Sequence, residues 1–116
     1  MLYSGDDSMM PYFALSNCKG LVSVAANVWP NEVFSYVKNC LNANAQKVSE
    51  MMPLWNSAIK SLFTAANPTC PKVLMHKLGL IETSTLRAPL TNNEPVNIEE
   101  LMHNHKQVSQ WGQNHA

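Results

Sequence analysis

Charge is what this sequence has least of. Of its 116 residues, 14% are Asp, Glu, Lys or Arg, against about 25% in an ordinary soluble domain. Eight basic and eight acidic residues cancel, so no electrostatic footprint points to nucleic acid or to an anionic membrane surface, and neither is expected as a partner. Cysteine is also sparse: Cys18, Cys40 and Cys70 are three in number, widely spaced and without a CxxC pair, which excludes a disulfide framework and suits buried, reduced thiols. No apolar run approaches the ~18 residues of a membrane span. Asp6 and Asp7 stand where a signal peptide would carry basic residues or begin its apolar stretch, so the expected location is the cytoplasm. There is no Ser/His/Asp arrangement, no phosphate-cradling Gly-rich loop and no internal repeat. What remains is 46% hydrophobic residues, enough to bury a core, under a surface so weakly charged that it suggests contact with a partner.

The chain is organised around Leu2 to Val28. Two short apolar runs, Leu2-Tyr3-Ser4 and Leu21-Val22-Ser23-Val24, flank a segment long enough for one helix. That pattern predicts a strand, a crossover helix and a parallel strand, because parallel strands need a crossover of about a dozen residues. In such units the ligand site lies beyond the carboxyl ends of the strands, which here are Gly5-Asp6-Asp7 and Ala25-Ala26-Asn27. The second run is nearly continuous in apolar residues, as expected of a sheet buried on both faces.

Helices account for most of the rest. Asp7 or Ser8 is positioned to cap a short helix ending at Leu15, with Pro11 tolerable in its first turn. Gly20 follows as a residue free to take a positive φ before the second strand. Trp29-Pro30-Asn31-Glu32 opens a second helix with Val33, Phe34, Val37 and Leu41 on one face. Asn44 caps a third helix from Ala45 to about Ala65, in which Pro53 predicts a kink near Ser49 to Met52. A fourth runs from Pro71 to Leu78 and is closed by Gly79. Ile81 to Asn93 reads as an extended connection. A last helix spans about Asn97 to Trp111 with Ile98, Leu101, Met102, His105 and Val108 on one face, and Gly112 to Ala116 is expected to fray.

Few residues invite chemistry. Adjacent carboxylates before a helix, Asp6 and Asp7, are more often caps and dipole partners than a metal or acid/base pair. His103 and His105 stand two apart and so point to different faces, whereas helical metal sites use i, i+4 spacing. A solvated His103, a half-buried His105 and no metal or cofactor are expected. The methionine-rich stripe at Met51 and Met52 reads as ordinary core, though in a chain lacking part of its fold it would lie exposed.

A resemblance extends this reading. Ser4-Gly5-Asp6-Asp7, Lys19 to Val28 (KGLVSVAANV), Asn67-Pro68-Thr69-Cys70-Pro71-Lys72, Leu78-Gly79-Leu80 and Leu86-Arg87-Ala88-Pro89-Leu90 occur in the order and roughly the spacing of motifs in the dihydrodipicolinate synthase and N-acetylneuraminate lyase family. The chain resembles that family over about residues 2 to 90, and the paired aspartates favour the synthase branch. The resemblance implies a TIM barrel whose lysine, at the end of the sixth strand, forms a Schiff base with pyruvate. A (β/α)₈ barrel takes roughly 200 residues at minimum, so the implied fold is an α/β fragment, mostly helical. Residues 1–43 would be the last two βα units of the barrel and 44–116 the C-terminal helical extension.

The implied activity is condensation of pyruvate with aspartate semialdehyde on the lysine pathway, by a class I aldolase-type lyase. The implied substrate-binding residues are Gly5, at the pyruvate pocket, and Val22, which flanks the keto acid; no catalytic residue is carried over, because the family's lysine and tyrosine fall outside the match. The chain alone is therefore expected to be inactive, forming a pyruvate pocket only with an N-terminal barrel fragment. The alternatives are the second subunit of a split enzyme or a non-enzymatic helical module that self-associates. Such a module would use Met51, Met52, Trp55 and Val22 as its exposed apolar face.

Overall fold

The computed structural model describes residues 1–115. The elements are α1 (Met10–Leu15), a one-turn 3-10 helix (Ala25–Asn27), α2 (Pro30–Leu41), α3 (Ala45–Ser61), α4 (Thr69–Lys77) and α5 (Ile98–His115).

The two apolar runs meet in parallel, as their spacing requires, at a bridge between Ser4 and Leu21. Lys19 N–H donates to Leu2 O at 2.8 Å, Ser4 N–H to Gly20 O at 2.9 Å and Val22 N–H to Ser4 O at 2.8 Å. Pairing stops there, and among the described residues no strand proper forms. A lone two-stranded pair is marginal without further strands beside it. The second run is not buried on both faces, since Val22 is 72% exposed. Gly20 does not take a positive φ; in the turn that precedes it Asn17 does, at 65°. The glycine serves a close approach instead, because a Cβ there would stand 3.0 Å from Tyr3 Cδ1.

Local signals set most helix ends. Asn44 caps α3 by accepting from Lys47 N–H at 3.0 Å, and Asn97 does the same for Glu100 N–H ahead of α5. Gly79 closes α4 with φ 75°, while Gly79 N–H donates to His76 O and Leu80 N–H to Met75 O. The third helix ends at Ser61 rather than Ala65 and runs as one element through Pro53. The fourth begins two residues before Pro71, at Thr69. Gly112 to His115 continue α5 instead of fraying, and Ala116 lies outside the described residues. Replacing Asn44 by Ala is expected to cost about 1 kcal/mol; a urea midpoint unchanged from the parent would show that the cap contributes nothing.

The core is a cluster of aromatic rings under α5. Trp55, fully buried, stands edge-on to Trp29 at 6.2 Å and to Trp111 at 5.3 Å between centroids, and tilts against Tyr36 at 4.7 Å. Met51 is buried beside it. The expectation that Met51 and Trp55 form an exposed face in an incomplete fold is therefore wrong: α5 and α2 cover them. The inward face of α2 is Val33, Tyr36 and Cys40, not the stripe that includes Phe34 and Leu41, both of which face solvent. Cys18, Cys40 and Cys70 are buried free thiols.

Candidate functional site at the carboxyl ends of the bridged segments

The chain after Ser4 is held by side chains as much as by backbone. Ser4 Oγ donates to Asp6 O at 2.9 Å and accepts from Asp6 N–H at 3.1 Å, which turns the backbone immediately beyond the bridge. Asp6 then uses one carboxylate oxygen, Oδ1, to accept from Ser8 Oγ–H at 2.7 Å, Ser8 N–H at 2.9 Å and Met9 N–H at 3.2 Å. Neither Asp7 nor Ser8 caps α1, whose N-cap is Met9 without a side-chain bond; Asp6 instead closes the turn that leads into it. The Ser8 hydroxyl, assisted by the Met9 and Ser8 amides, holds the Asp6 carboxyl below the usual carboxylate range.

Asp7 does something else. It is buried, and both its oxygens are taken, Oδ1 by the Ser23 hydroxyl and Oδ2 by Val24 N–H at 3.1 Å. Its carbonyl accepts from Tyr36 O–H at 2.7 Å. Ser23 Oγ in turn accepts from Ala26 N–H at 2.9 Å. This carboxylate ties the ends of both bridged segments to α2, a structural role that adjacency to Asp6 in sequence disguises.

Burial pushes the Tyr36 hydroxyl well above its ordinary range and the Cys40 thiol up to about 12, the latter against a lowering contact from Tyr36. A proton held more tightly in the folded chain than in the unfolded one stabilises the fold below the unfolded pKa. That contribution fades as pH rises from the ordinary thiol value of 9.0 toward about 12. Thermal melts under reducing conditions are expected to show Tm falling above about pH 9, less steeply in Cys40→Ala; a flat profile to pH 11 would refute it.

An open hollow of about 520 Å³ lies at the ends of the bridged segments, where α3 crosses them. Gly5 and Asp6 line one side, Asn56 and Lys60 of α3 with Phe63 just beyond its end another, and Asn67 closes it. Gly5 is exposed, with open space where a Cβ would project. Val22 does not line the hollow, where Val24 stands in its run. Lys60 shares the hollow with Gly5; nothing in the local sequence marks it, because only the return of α3 brings it there.

The histidines follow their spacing. His103 is exposed, and half-buried His105 accepts through Nδ1 from Trp29 Nε1–H at 3.1 Å, pinning α5 to the start of α2. Among the described residues no three His, Cys, Asp or Glu side chains group as metal ligands, and no helix is long and apolar enough to cross a membrane.

The model of the dihydrodipicolinate synthetase family matches residues 1–109. A 4-hydroxy-tetrahydrodipicolinate synthase of Wolbachia pipientis subsp. Culex pipiens is 43% identical over 110 residues, covering 95% of this chain and 36% of that protein. One of Francisella tularensis subsp. novicida is 38% identical over 112 residues, covering 96% and 37%. The solved dihydrodipicolinate synthase of Thermotoga maritima superposes with a TM-score of 0.82 at 27% identity, over 94% of this chain and 37% of that one. The chain thus spans little more than a third of the length of the relatives it matches.

Proposed function

Because this chain belongs to the dihydrodipicolinate synthetase family and its fold is a fragment of that TIM-barrel fold, we propose that it is the C-terminal portion of a Schiff-base lyase. The reaction would be that of 4-hydroxy-tetrahydrodipicolinate synthase, joining pyruvate to aspartate semialdehyde. In this reading Leu2–Ser4 and Leu21–Val24 are the last two barrel strands, residues 1–43 carry the last two βα units and residues 44–116 form the helical extension. The observation that carries the reading is the pairing of Ser4 with Leu21 in parallel in a chain that covers about a third of its relatives. Gly5 and Val22 then serve as substrate-binding positions, Gly5 by leaving room and Val22 by flanking the keto acid. An exposed Val22 and an uncrowded Gly5 suit surfaces whose neighbours come from the rest of a barrel.

The portion alone is inert in this reading. Schiff-base chemistry requires a lysine whose pKa is lowered by desolvation or a nearby cation, so that its amine is free near neutral pH. Lys19, Lys38, Lys47, Lys60, Lys77 and Lys106 are exposed, and the half-buried Lys72 donates to Thr85 O at 2.7 Å. The Schiff-base lysine and the tyrosine would come from the N-terminal portion of the barrel. Pyruvate with borohydride is expected to leave the mass of the purified chain unchanged, and co-expression with a family N-terminal portion ending before the seventh strand is expected to restore turnover. A stoichiometric adduct on the lone chain, or failure of a folded, associated pair to turn over, would overturn the proposal.

The closed aromatic core favours one second reading, a non-enzymatic helical unit that self-associates through Leu2, Tyr3 and Val22, which are exposed. A soluble homo-oligomer that ignores the N-terminal portion would select it.

A further inference from the structure

A second open hollow, of about 690 Å³, runs along the outer face of α2 and is bounded by the first turn of α3 and the last turns of α5. Small-molecule sites are of this size. Helix α5 comes close here because residue 112 is glycine: a Cβ there would stand 2.7 Å from Glu32 Cγ. Glycine inside a helix weakens it, and in return α5 can form a wall of the hollow.

Basic groups from three helices converge at one end, Lys38 from α2, Lys47 from α3 and His115 from α5. Lys38 alone would merely complement the carboxyl end of its own helix. The other two arrive from separate elements, and among the described residues no carboxylate pairs with any of the three. His115 Nδ1 faces Trp111 O at 2.7 Å, and because a carbonyl only accepts, the proton sits on that nitrogen. The ring also stacks on Trp111, with centroids 4.6 Å apart, so its orientation is fixed while Nε2 stays unengaged. Half-buried Ser35 and Asn39 line the same space, and their side chains make no hydrogen bond with the described residues. Glu32 stands six residues before Lys38, about 9 Å along the helix axis, which keeps its charge away from the basic end. Phe34, 71% exposed, lies one turn before Lys38, about 6 Å along the axis.

We infer that this hollow binds a nucleoside monophosphate, its phosphate among Lys38, Lys47, His115 and the Asn39 amide and its base stacked on Phe34. A phosphate is held best by several charged and neutral donors at once, and three helices supply them here. A planar base needs an apolar plate about a sugar's length from those donors, and an exposed phenylalanine in an otherwise polar hollow offers it without serving the core. The inference stands apart from the proposed lyase reading, since it uses no residue of the bridged segments.

The test titrates the full chain with adenosine 5′-monophosphate, adenosine, ribose 5-phosphate and inorganic phosphate, followed by the His115 and Phe34 ring resonances. The nucleotide is expected to saturate, to shift both rings and to bind roughly tenfold or more tighter than adenosine or ribose 5-phosphate, each of which lacks one anchor. Replacing both lysines, Lys38→Gln with Lys47→Gln, should weaken the nucleotide roughly tenfold or more and leave adenosine unmoved. Phe34→Ala should weaken the nucleotide on a similar scale and leave ribose 5-phosphate unmoved. All three side chains are exposed, so the fold should persist, which near-UV circular dichroism of the tryptophan cluster verifies. Inorganic phosphate binding as tightly as the nucleotide would mean an adventitious anion site and overturn the inference. So would nucleotide binding that is absent, or unchanged in the folded double-lysine variant.

Discussion

Replacing Trp55 by Ala is expected to remove a large share of the chain's stability. Its ring is fully buried and touches Trp29, Tyr36 and Trp111, so it joins α3 to the start of α2 and to α5 in one contact set. Truncating a buried tryptophan costs about 3–5 kcal/mol through lost transfer energy and the cavity left behind, against a total stability of about 5–15 kcal/mol for a domain. The Trp55 N–H is buried without a hydrogen-bond acceptor, which makes Trp55→Phe milder, since phenylalanine keeps much of the ring contact and deletes an unsatisfied donor. Near-UV circular dichroism with urea titration measures both. A Trp55→Ala chain with an undiminished unfolding midpoint would mean that the four rings are not the keystone of the fold.

The second large effect belongs to Asp7→Ala. The substitution strands the Ser23 hydroxyl and Val24 N–H, each bound to this carboxylate, and a buried donor left without a partner costs about 1–3 kcal/mol. The expected loss is about 2–4 kcal/mol, with Val22 and Val24 amides exchanging faster than those of α3. Asp7→Asn should lose less, because it retains one acceptor. Uniform acceleration of exchange across α3 and α5 would instead tie Asp7 to global stability rather than to the bridged segments.

Where sequence signals act through the nearest residues, the structure follows them. Asn44 caps, Gly79 closes and the Leu101/Val108 face turns inward because each depends on contacts within one or two turns. The inward face of α2 was not legible in that way. Ranked by hydrophobicity, Phe34 belongs inside and Tyr36 at the margin, yet Tyr36 is buried because its hydroxyl reaches Asp7 O across 29 residues. Trp111 escaped notice for a related reason: it lies at the end of a helical period and becomes core only through Trp55. At the candidate site, Gly5 and Asp6 could be located by their place after an apolar run. Asn56 and Lys60 could not, since only the path of α3 across the bridged segments puts them there.

The bond from Trp29 to His105, 76 residues apart, and the edge-on contact of Trp111 with Trp55 also order events in time. The helix that covers Trp29 and Trp55, α5, leaves a ribosome after both of them. At about 5–20 residues per second, the 76 residues that separate Trp29 from His105 take roughly 4–15 s to add. For most of that interval Trp29, Tyr36, Met51 and Trp55 have no lid. Helices α1 to α4 therefore emerge as a sticky segment that cannot close its core until α5 arrives, and the nascent chain offers chaperones its longest target just before α5 is made.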